Sequence, residues 1–387
     1  MNFSVVAIVK DETKNLPRLI QSLAEFQRRG GEIIIADGGS TDGTPDLARS
    51  LGCKVHTRTD KSIEVDTATA RIINTRFVAE GDSPIVEGGY LIFDAAGIRN
   101  DAASHSPTDM VLFPDADEAF SVLDLDKICL LIDAGVNAFM FTFVHSRTDQ
   151  GAPASKFNIC KFYDRNKFHW FGFNHEVVVG DPLRTWLGED TLILDHYQDQ
   201  TKERGDHVLR SLAYYCCLNP NNARFSHYFG RELLTKGRIQ SAIHELSRHV
   251  AMNDWLPERS QSMIYLGDCF LNLKQNEMAA DWYSRAFRLD PTRREALIRL
   301  ARLAEAEKKY ASCVAYATAS LSIPWHGDYL NDASYYRDVP HYYLCWGYGW
   351  MGRIPEARTH ILKALEYKPN DPTYFDHLHY YFNASEE

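Results

Sequence analysis

The sequence predicts an α/β domain, followed by an all-α domain of helical repeats. Two unbroken apolar runs, 3–9 and 32–36, flank a stretch whose apolar residues have helical spacing, and this order is typical of a βαβ unit. After about residue 205 such runs give way to dense helical periodicity. We therefore place the α/β domain at residues 1–205 and the helical domain at residues 206–387.

The first elements follow one another along the chain. Residues 3–9 are apolar without a helical period, which predicts a buried strand. Apolar residues at helical spacing predict one continuous helix over 16–28. The run 32–36 predicts a second strand, and a Gly-rich turn then leads to a helix at 45–50. This order predicts parallel strands joined by helices.

An acidic pair follows the next predicted strand. The four β-prone residues 110–113 are followed by Pro114 and then by the carboxylates Asp115 and Asp117. Asp11 and Asp37 also follow predicted strands, and ligands of such sheets bind at the carboxyl ends of the strands. We therefore expect these acidic groups to converge in one crevice. Carboxylates there would hold Mg²⁺ or Mn²⁺, with ligands at about 2.1 Å, against the phosphates of a nucleotide diphosphate.

The chain contains a second Asp-x-Asp sequence, Asp124 and Asp126, which lacks this context. Aspartate caps helix N-termini and complements the helix dipole. We predict that this pair marks the start of a helix.

Four motifs, in this order, resemble the family 2 glycosyltransferases of GT-A fold, which have a Rossmann-like mixed sheet. They are IVKDE at 8–12, DGGSTDGT at 37–44, the dipeptide Arg99-Asn100, and FPDADE at 113–118. The resemblance covers roughly the first 200 residues. It implies an inverting transferase that takes a sugar from a nucleotide diphosphate donor and needs Mg²⁺ or Mn²⁺.

The resemblance also implies roles for individual residues. Asp11, Glu12 and Asp37 would line the base and ribose pocket, because carboxylates accept hydrogen bonds from an imide or a ribose hydroxyl. Arg99 would face the diphosphate, since its planar fork of donors suits phosphate oxygens. Asp115 and Asp117 would hold the ribose edge and the metal. The complete set of implied nucleotide contacts is Val9, Asp11, Glu12, Asp37, Gly38, Arg99, Asp115 and Ala116.

A further stretch, 172–176, stands where many of these enzymes carry a Gly-x-x-His-Glu signature. The resemblance makes His175 a third metal ligand or a diphosphate contact. Glu176 becomes the leading candidate for the base that deprotonates an acceptor hydroxyl or thiol. His196, at the end of another apolar run, is the rival of His175 for the metal.

The chain departs from the family pattern between residues 60 and 94, where it is longer. The extra length predicts either a loop on the acceptor side or a helix that covers the donor.

Small residues recur in the helical half at the spacing of a 34-residue tetratricopeptide repeat. Each helical hairpin of such a repeat buries its apolar face by stacking on the next, so small residues are needed where helices touch. The spacing predicts four units. The residues that mark them are Gly230 and Ala242; Gly267, Ala279, Ala286 and Pro291; Ser312, Ala319 and Pro324; and Ala357, Ala364 and Pro369.

Whole-chain properties exclude some classes of function. A net charge of −10 and the absence of a long basic run argue against non-specific electrostatic binding of nucleic acid. No run of 18 apolar residues occurs, so we expect no transmembrane segment and a soluble, cytoplasmic protein. The eight cysteines lack C-x-x-C spacing, so we expect reduced thiols and no zinc site.

Three classes of function compete at this stage. The first is a metal-dependent hexosyltransferase that uses a sugar nucleotide, with uridine diphosphate as the commonest carrier in the family. The second, a nucleotidyltransferase, would show a Gly-rich phosphate loop after the first strand, where this chain has Lys10, Asp11 and Glu12. The third is a non-catalytic repeat scaffold.

The acceptor is expected to be a peptide or protein side chain. The combination of a transferase domain with repeats is similar to the sublancin-type peptide glycosyltransferases, in which the helical region helps to place a peptide and pairs subunits. That similarity implies a possible homodimer through the helical domain. Surface polysaccharide, lipid-linked glycan and modified DNA bases are the alternatives.

Overall fold

The computed structural model describes residues 1–58, 62–147, 151–172, 176–181, 183–197, 205–252, 255–325 and 331–383. Contacts divide the chain into two compact units, one of residues 1–74 and 84–217 and the other of residues 75–83 and 218–387.

The first unit is built on thirteen strands and seven helices of the described residues. The strands are β1 (Phe3–Val9), β2 (Ile33–Asp37), β3 (Lys54–Thr57), β4 (Ser62–Val65), β5 (Tyr90–Phe93), β6 (Met110–Leu112), β7 (Glu118–Leu123), β8 (Ala138–Arg147), β9 (Pro153–Asp164), β10 (Phe168–Phe171), β11 (Val177–Gly180), β12 (Thr185–Trp186) and β13 (Leu192–His196). The helices are α1 (Leu16–Ser22), α2 (Ala24–Arg28), α3 (Thr44–Ser50), α4 (Thr67–Phe77), α5 (Ala95–Ser104), α6 (Leu125–Asp133) and α7 (His207–Leu218); the ends of α4 and α7 pass into the second unit.

The main sheet is mixed, as the resemblance to the GT-A fold implies. Its strand order is β3-β2-β1-β6-β9-β8-β13-β7, with β12 paired to β8. β3, β2, β1 and β6 run parallel to one another, and β9 joins β6 in the antiparallel direction. The carboxyl ends of β1, β2 and β6 therefore lie side by side at one edge of the sheet.

The central parallel strands β1, β2 and β6 are largely apolar because both faces of the sheet are covered there. Alternate residues of β1 belong to different cores: Val5 packs with Leu16 and Phe26 on one face, and Val6 packs with Val111 on the other. Because both faces are buried, these strands do not alternate between polar and apolar residues in the sequence.

The predicted helix over 16–28 is wrong in one respect, because it is two helices. α1 ends and α2 begins around the buried Leu23, whose backbone leaves helical geometry at φ −102° and ψ 10°. The prediction for the second acidic pair is confirmed. Asp124 is the N-cap of α6, and its side chain accepts a hydrogen bond from Lys127 N at 3.0 Å.

The longer region between residues 60 and 94 forms a two-stranded antiparallel ribbon, β4–β5, with α4 between its strands. Asn74 on α4 holds the segment that leads into β5. Its Nδ2 donates to Val86 O at 2.7 Å, and its Oδ1 accepts from Ile85 N at 2.8 Å.

The second unit contains four helical pairs and a final helix among the described residues, which confirms the predicted number of repeats. The pairs are α8 (Ala223–Thr235) with α9 (Ile239–Ala251), α10 (Leu256–Asn272) with α11 (Asn276–Leu289), α12 (Glu295–Ala306) with α13 (Tyr310–Leu321), and α14 (Asp338–Trp350) with α15 (Ile354–Tyr367), followed by α16 (Pro372–Asn383). A short 3₁₀ turn, Ala333–Tyr336, precedes α14.

Small residues lie where the helices touch, with one correction to the predicted register. A Cβ on Gly267 would overlap the ring of Tyr283. In the third pair the sequence marks Ser312 and Ala319, but Ala319 is exposed and the buried residues are Cys313 and Ser320. Cys313 and Ser320 are also small, and they follow Ala279 and Ala286 by one repeat of 34 residues.

The segment 75–83 packs within the second unit. The rings of Phe77 and Phe229 meet edge to face at 5.0 Å between centroids. Arg238 donates to Ser83 O at 2.6 Å and to its Oγ at 2.9 Å. The first helical pair therefore depends on residues that precede it by more than a hundred positions.

Candidate active site

The candidate site is the edge of the main sheet formed by residues 9–12, 37–44 and 113–118, which we call the rim. Val9 and Asp37 are register partners at the ends of β1 and β2, and Gly38 N donates to Val9 O at 2.9 Å. The side chains of Val9 and Ala116 are buried in the core. Neither side chain is therefore placed to touch a ligand.

The loops after β1 and β2 are tied to each other through their polar groups. Asp11 Oδ1 accepts from Thr41 N at 2.7 Å, and Asp11 N donates to Ser40 Oγ at 2.8 Å. This arrangement holds Asp11 at φ 53°, a left-handed conformation that is uncommon outside glycine. Asp37, 3% exposed, accepts from the main-chain N–H groups of Gly39 and Ser40. Asp37 thus organises the turn, and its carboxylate retains lone pairs for a ligand.

Glu12 belongs to the same network. Its N–H donates to Thr44 Oγ1 at 2.8 Å, and its Oε2 accepts from Asn15 Nδ2 at 2.8 Å. Asp42 accepts hydrogen bonds from Thr13 and Thr44. Burial favours a higher pKa for Asp42, but the hydrogen bonds from Thr44 and Thr13 lower its pKa below the ordinary value. The two loops therefore form one preorganised polar surface.

The guanidinium of Arg58 packs directly against Gly38. A Cβ on Gly38 would overlap the guanidinium of Arg58, and Arg58 N donates to Asp37 O at 2.8 Å. The guanidinium also lies 5.6 Å from the ring centroid of Phe93, on β5. Arg58 was missed by the sequence reasoning, although a basic residue directly after the third strand was the available signal.

Asp115 is held by two cations. Its Oδ1 lies 2.7 Å from Arg99 Nη2, and its Oδ2 lies 2.7 Å from Lys161 Nζ. Lys161 also contacts Glu118 Oε1 at 2.5 Å. Burial alone would raise the pKa of Asp115, but Arg99 and Lys161 bring its pKa below the ordinary range. Burial raises the pKa of Glu118, and the Lys161 ammonium opposes that rise.

Asp117 is as accessible as Asp115, with 32% of its side chain exposed against 31%. Its Oδ2 lies 3.3 Å from His196 Nε2, and this hydrogen bond raises the pKa of His196. The His196 ring stacks on His145 at 5.2 Å between centroids. Of the two rival histidines, His196 is the one that the structure places beside the acidic pair, whereas His175 lies outside the described residues.

Arg99 lies on α5 with 9% of its surface exposed. Its guanidinium is 4.9 Å from the ring centroid of Trp170 and 5.4 Å from that of Phe113. Among the described residues, its Nε and Nη1 atoms have no hydrogen-bond partner. Buried donors are normally satisfied, so these two atoms are available to an anion.

Glu176 is placed close to this cluster. Burial raises its pKa, the positive charge of Arg99 opposes the rise, and Asp115 adds to it. Asn100, next to Arg99, fixes the hairpin that leads to Glu176: its Nδ2 donates to Trp170 O at 2.9 Å, and its Oδ1 accepts from Trp170 N at 2.8 Å. The connection between β10 and β11 carries Glu176.

The chemistry of the rim suits a divalent cation that a substrate helps to bind. The described residues contain no group of three or more side chains arranged to hold a metal ion. Mg²⁺ and Mn²⁺ at phosphate-transfer sites commonly use one or two protein ligands, with phosphate oxygens and waters completing the shell. Asp117 with His196 fits that requirement better than Asp115, whose two oxygens are already engaged.

No helix in the described ranges is long and apolar enough to cross a membrane.

Comparison with known proteins identifies both parts of the chain. The family model of glycosyl transferase family 2 matches residues 4–65, and that of a tetratricopeptide repeat matches residues 229–294. A TPR repeat-containing protein of Synechococcus elongatus is 24% identical over 253 residues, which are 62% of this chain and 54% of that protein. The chain therefore spans about half the length of this curated relative.

Several solved structures resemble the chain over less than half of its length. MamA is 19% identical with a TM-score of 0.34, covering 42% of this chain and 81% of that structure. The pilF protein of Pseudomonas aeruginosa is 16% identical with a TM-score of 0.36, covering 44% and 79%. Similarities of this size carry no argument about function. The chain thus matches glycosyl transferase family 2 at its N-terminus, within the unit that holds the mixed sheet, and a tetratricopeptide repeat in its C-terminal region, within the unit of helical pairs.

Proposed function

We propose that the protein is a metal-dependent, inverting glycosyltransferase that moves a hexose from a nucleotide diphosphate sugar, with uridine diphosphate as the first candidate carrier, to a nucleophilic acceptor. The observation that supports it most directly is the cluster of Arg99, Asp115, Asp117 and His196 at the rim of a family 2 domain. This cluster combines an anion-binding donor with a carboxylate and an imidazole suited to a cation.

The proposed roles follow from the contacts. Asp117 and His196 would hold Mg²⁺ or Mn²⁺, and the cation would neutralise charge on the leaving diphosphate. Arg99 would turn its unpartnered donors toward the phosphates. The predicted nucleoside contacts are Asp11, Glu12, Asp37 and Gly38; His175 stays a predicted ligand or phosphate contact.

Glu176 is our candidate for the general base. A base works best when its pKa approaches the operating pH, and burial raises the pKa of Glu176. The carboxylate would take the proton of an acceptor hydroxyl or thiol as that oxygen or sulfur attacks the anomeric carbon. Bond formation on one face and departure of the diphosphate from the other would invert the configuration.

We propose a peptide or protein side chain as the acceptor, because tetratricopeptide surfaces commonly hold extended peptides. A homodimer through the helical repeats is part of the same proposal. Surface polysaccharide, lipid-linked glycan and modified DNA bases are the alternative acceptors.

The test is calorimetric titration with uridine, guanosine and thymidine diphosphates, with and without Mn²⁺. We expect metal-dependent binding of one diphosphate by the wild type and its loss in Asp117→Ala, which removes a rim carboxylate and no core volume. Asp126→Ala is the matched control, since it alters the exposed second acidic pair and removes only a surface ion pair with Arg29.

Full turnover by Asp117→Ala would refute the metal assignment. The second candidate function, a repeat scaffold with an inactive transferase domain, is favoured by the name of the curated relative, which refers to its repeats alone. Failure of the wild type to bind any of the diphosphates would favour that candidate.

A further inference from the structure

The two aspartates of the acidic pair have different surroundings. Asp115 is engaged through both oxygens by Arg99 and Lys161, each at 2.7 Å. Asp117 has one contact among the described side chains, His196 at 3.3 Å, although the two aspartate side chains are equally exposed, at 31% and 32%. Two residues that look alike in the sequence are therefore unlike as metal ligands.

Lys161 shares with Arg99 the engagement of Asp115. It lies on β9 with 6% of its side chain exposed, and its ammonium bridges Asp115 Oδ2 and Glu118 Oε1. Glu118 Oε2 accepts in turn from Asp115 N at 2.8 Å. These three contacts close a ring that fixes both the main chain and the carboxylate of Asp115.

The ring also determines where negative charge remains at the rim. Asp115 and Glu118 are matched by the cations Arg99 and Lys161. Asp117 has no Lys or Arg among its described partners. A divalent cation is attracted to the carboxylate whose charge is not already compensated.

We propose that Lys161 is a positioning residue that withholds Asp115 from metal coordination and so directs the divalent cation to Asp117. Because Lys161 can hold Asp115 alone, Arg99 can leave that carboxylate for the phosphates of the donor. This inference rests on the proposed function and assigns a role to a residue that none of the sequence motifs contains.

A simpler explanation is that Lys161 only neutralises the buried Glu118. The double variant Lys161→Met/Glu118→Gln separates the two explanations. It removes both charges of that ion pair, and the glutamine oxygen can still accept from Asp115 N. It also remains informative if Lys161→Met alone fails to fold, since it leaves no unpaired charge at position 118.

The experiment measures nucleoside diphosphate affinity with and without Mn²⁺ by calorimetry in wild type, Lys161→Met and the double variant. Without Lys161, the charged carboxylate of Asp115 is held by Arg99 alone and can serve as a second ligand of the cation. We expect the Mn²⁺-dependent gain in affinity to rise by about tenfold in the double variant, because a second uncompensated carboxylate then attracts the cation. Lys156→Met on the same strand, which breaks only an ion pair with Glu189, is the control.

A double variant that keeps the wild-type Mn²⁺ effect would overturn the inference and leave the proposed function intact. Equal losses with and without Mn²⁺ would also overturn it, because they indicate general damage. A wild type that binds no diphosphate in Mn²⁺ refutes the proposed function itself, and this inference with it.

Discussion

Replacement of Asn100 by alanine should loosen the β10–β11 hairpin that carries Glu176. The Asn100 amide makes two hydrogen bonds to the main chain of Trp170, which is 4% exposed. A buried polar group left without its partner costs about 1–3 kcal/mol, so the loss of both bonds should cost about 2–4 kcal/mol. A domain with typical stability would remain folded.

Hydrogen exchange read by mass spectrometry is the assay. A local cost of about 2–4 kcal/mol corresponds to amide exchange about 30- to 1,000-fold faster in residues 168–171 and 177–180, if that cost falls on local opening. Asn74→Ala is the matched control, since it also removes an amide that binds two main-chain groups, those of Ile85 and Val86. Unchanged exchange in the hairpin of Asn100→Ala, or equal acceleration in the control, would refute the reasoning.

Two further predictions concern the helical unit. Gly267→Ala should destabilise it by about 1–3 kcal/mol in urea unfolding, because the new methyl group must displace the fully buried ring of Tyr283; a variant as stable as wild type would contradict the close contact. The Nδ1 atoms of His341 and His360 lie 3.0 Å apart, and burial with the neighbouring ring lowers the pKa of His341 from 6.5 to about 4. The unfolded chain then binds the proton more readily than the folded chain, so the stability should fall as the pH drops from about 6.5 toward 4. In thermal unfolding, His341→Phe should flatten this dependence of stability on pH. His244→Gln, at an exposed histidine, should leave it unchanged.

The sequence was sufficient to predict the rim because the positions at strand ends follow from hydrophobic patterning alone. The unbroken apolar runs of β1 and β2 require burial on both faces, and parallel strands bring their carboxyl ends together. Asp11, Asp37 and Asp115 could thus be grouped before any contact was known. The contacts of these carboxylates could not be predicted, because each partner depends on loop conformation.

Lys161 shows why some of the site could not be found in this way. It reaches Asp115 from β9, which runs antiparallel to β6. In the sequence it is a single lysine between Cys160 and Phe162, in a segment without a turn signal or repeat. Only the pairing of the two strands makes it a neighbour of the acidic pair. The one-residue error in the third repeat has a similar origin, since several adjacent small residues satisfy the same spacing.

The dipeptide Arg99-Asn100 connects the two halves of the proposed reaction. Successive residues on a helix point about 100° apart, so α5 can present Arg99 to Asp115 and Asn100 to Trp170. Arg99 belongs to the proposed phosphate side, and Asn100 holds the hairpin that carries the candidate base Glu176. A shift of α5 would therefore move the diphosphate contact and the base together. This coupling gives a physical reason for the two residue types to stand side by side, since separate supports would let the two distances vary independently.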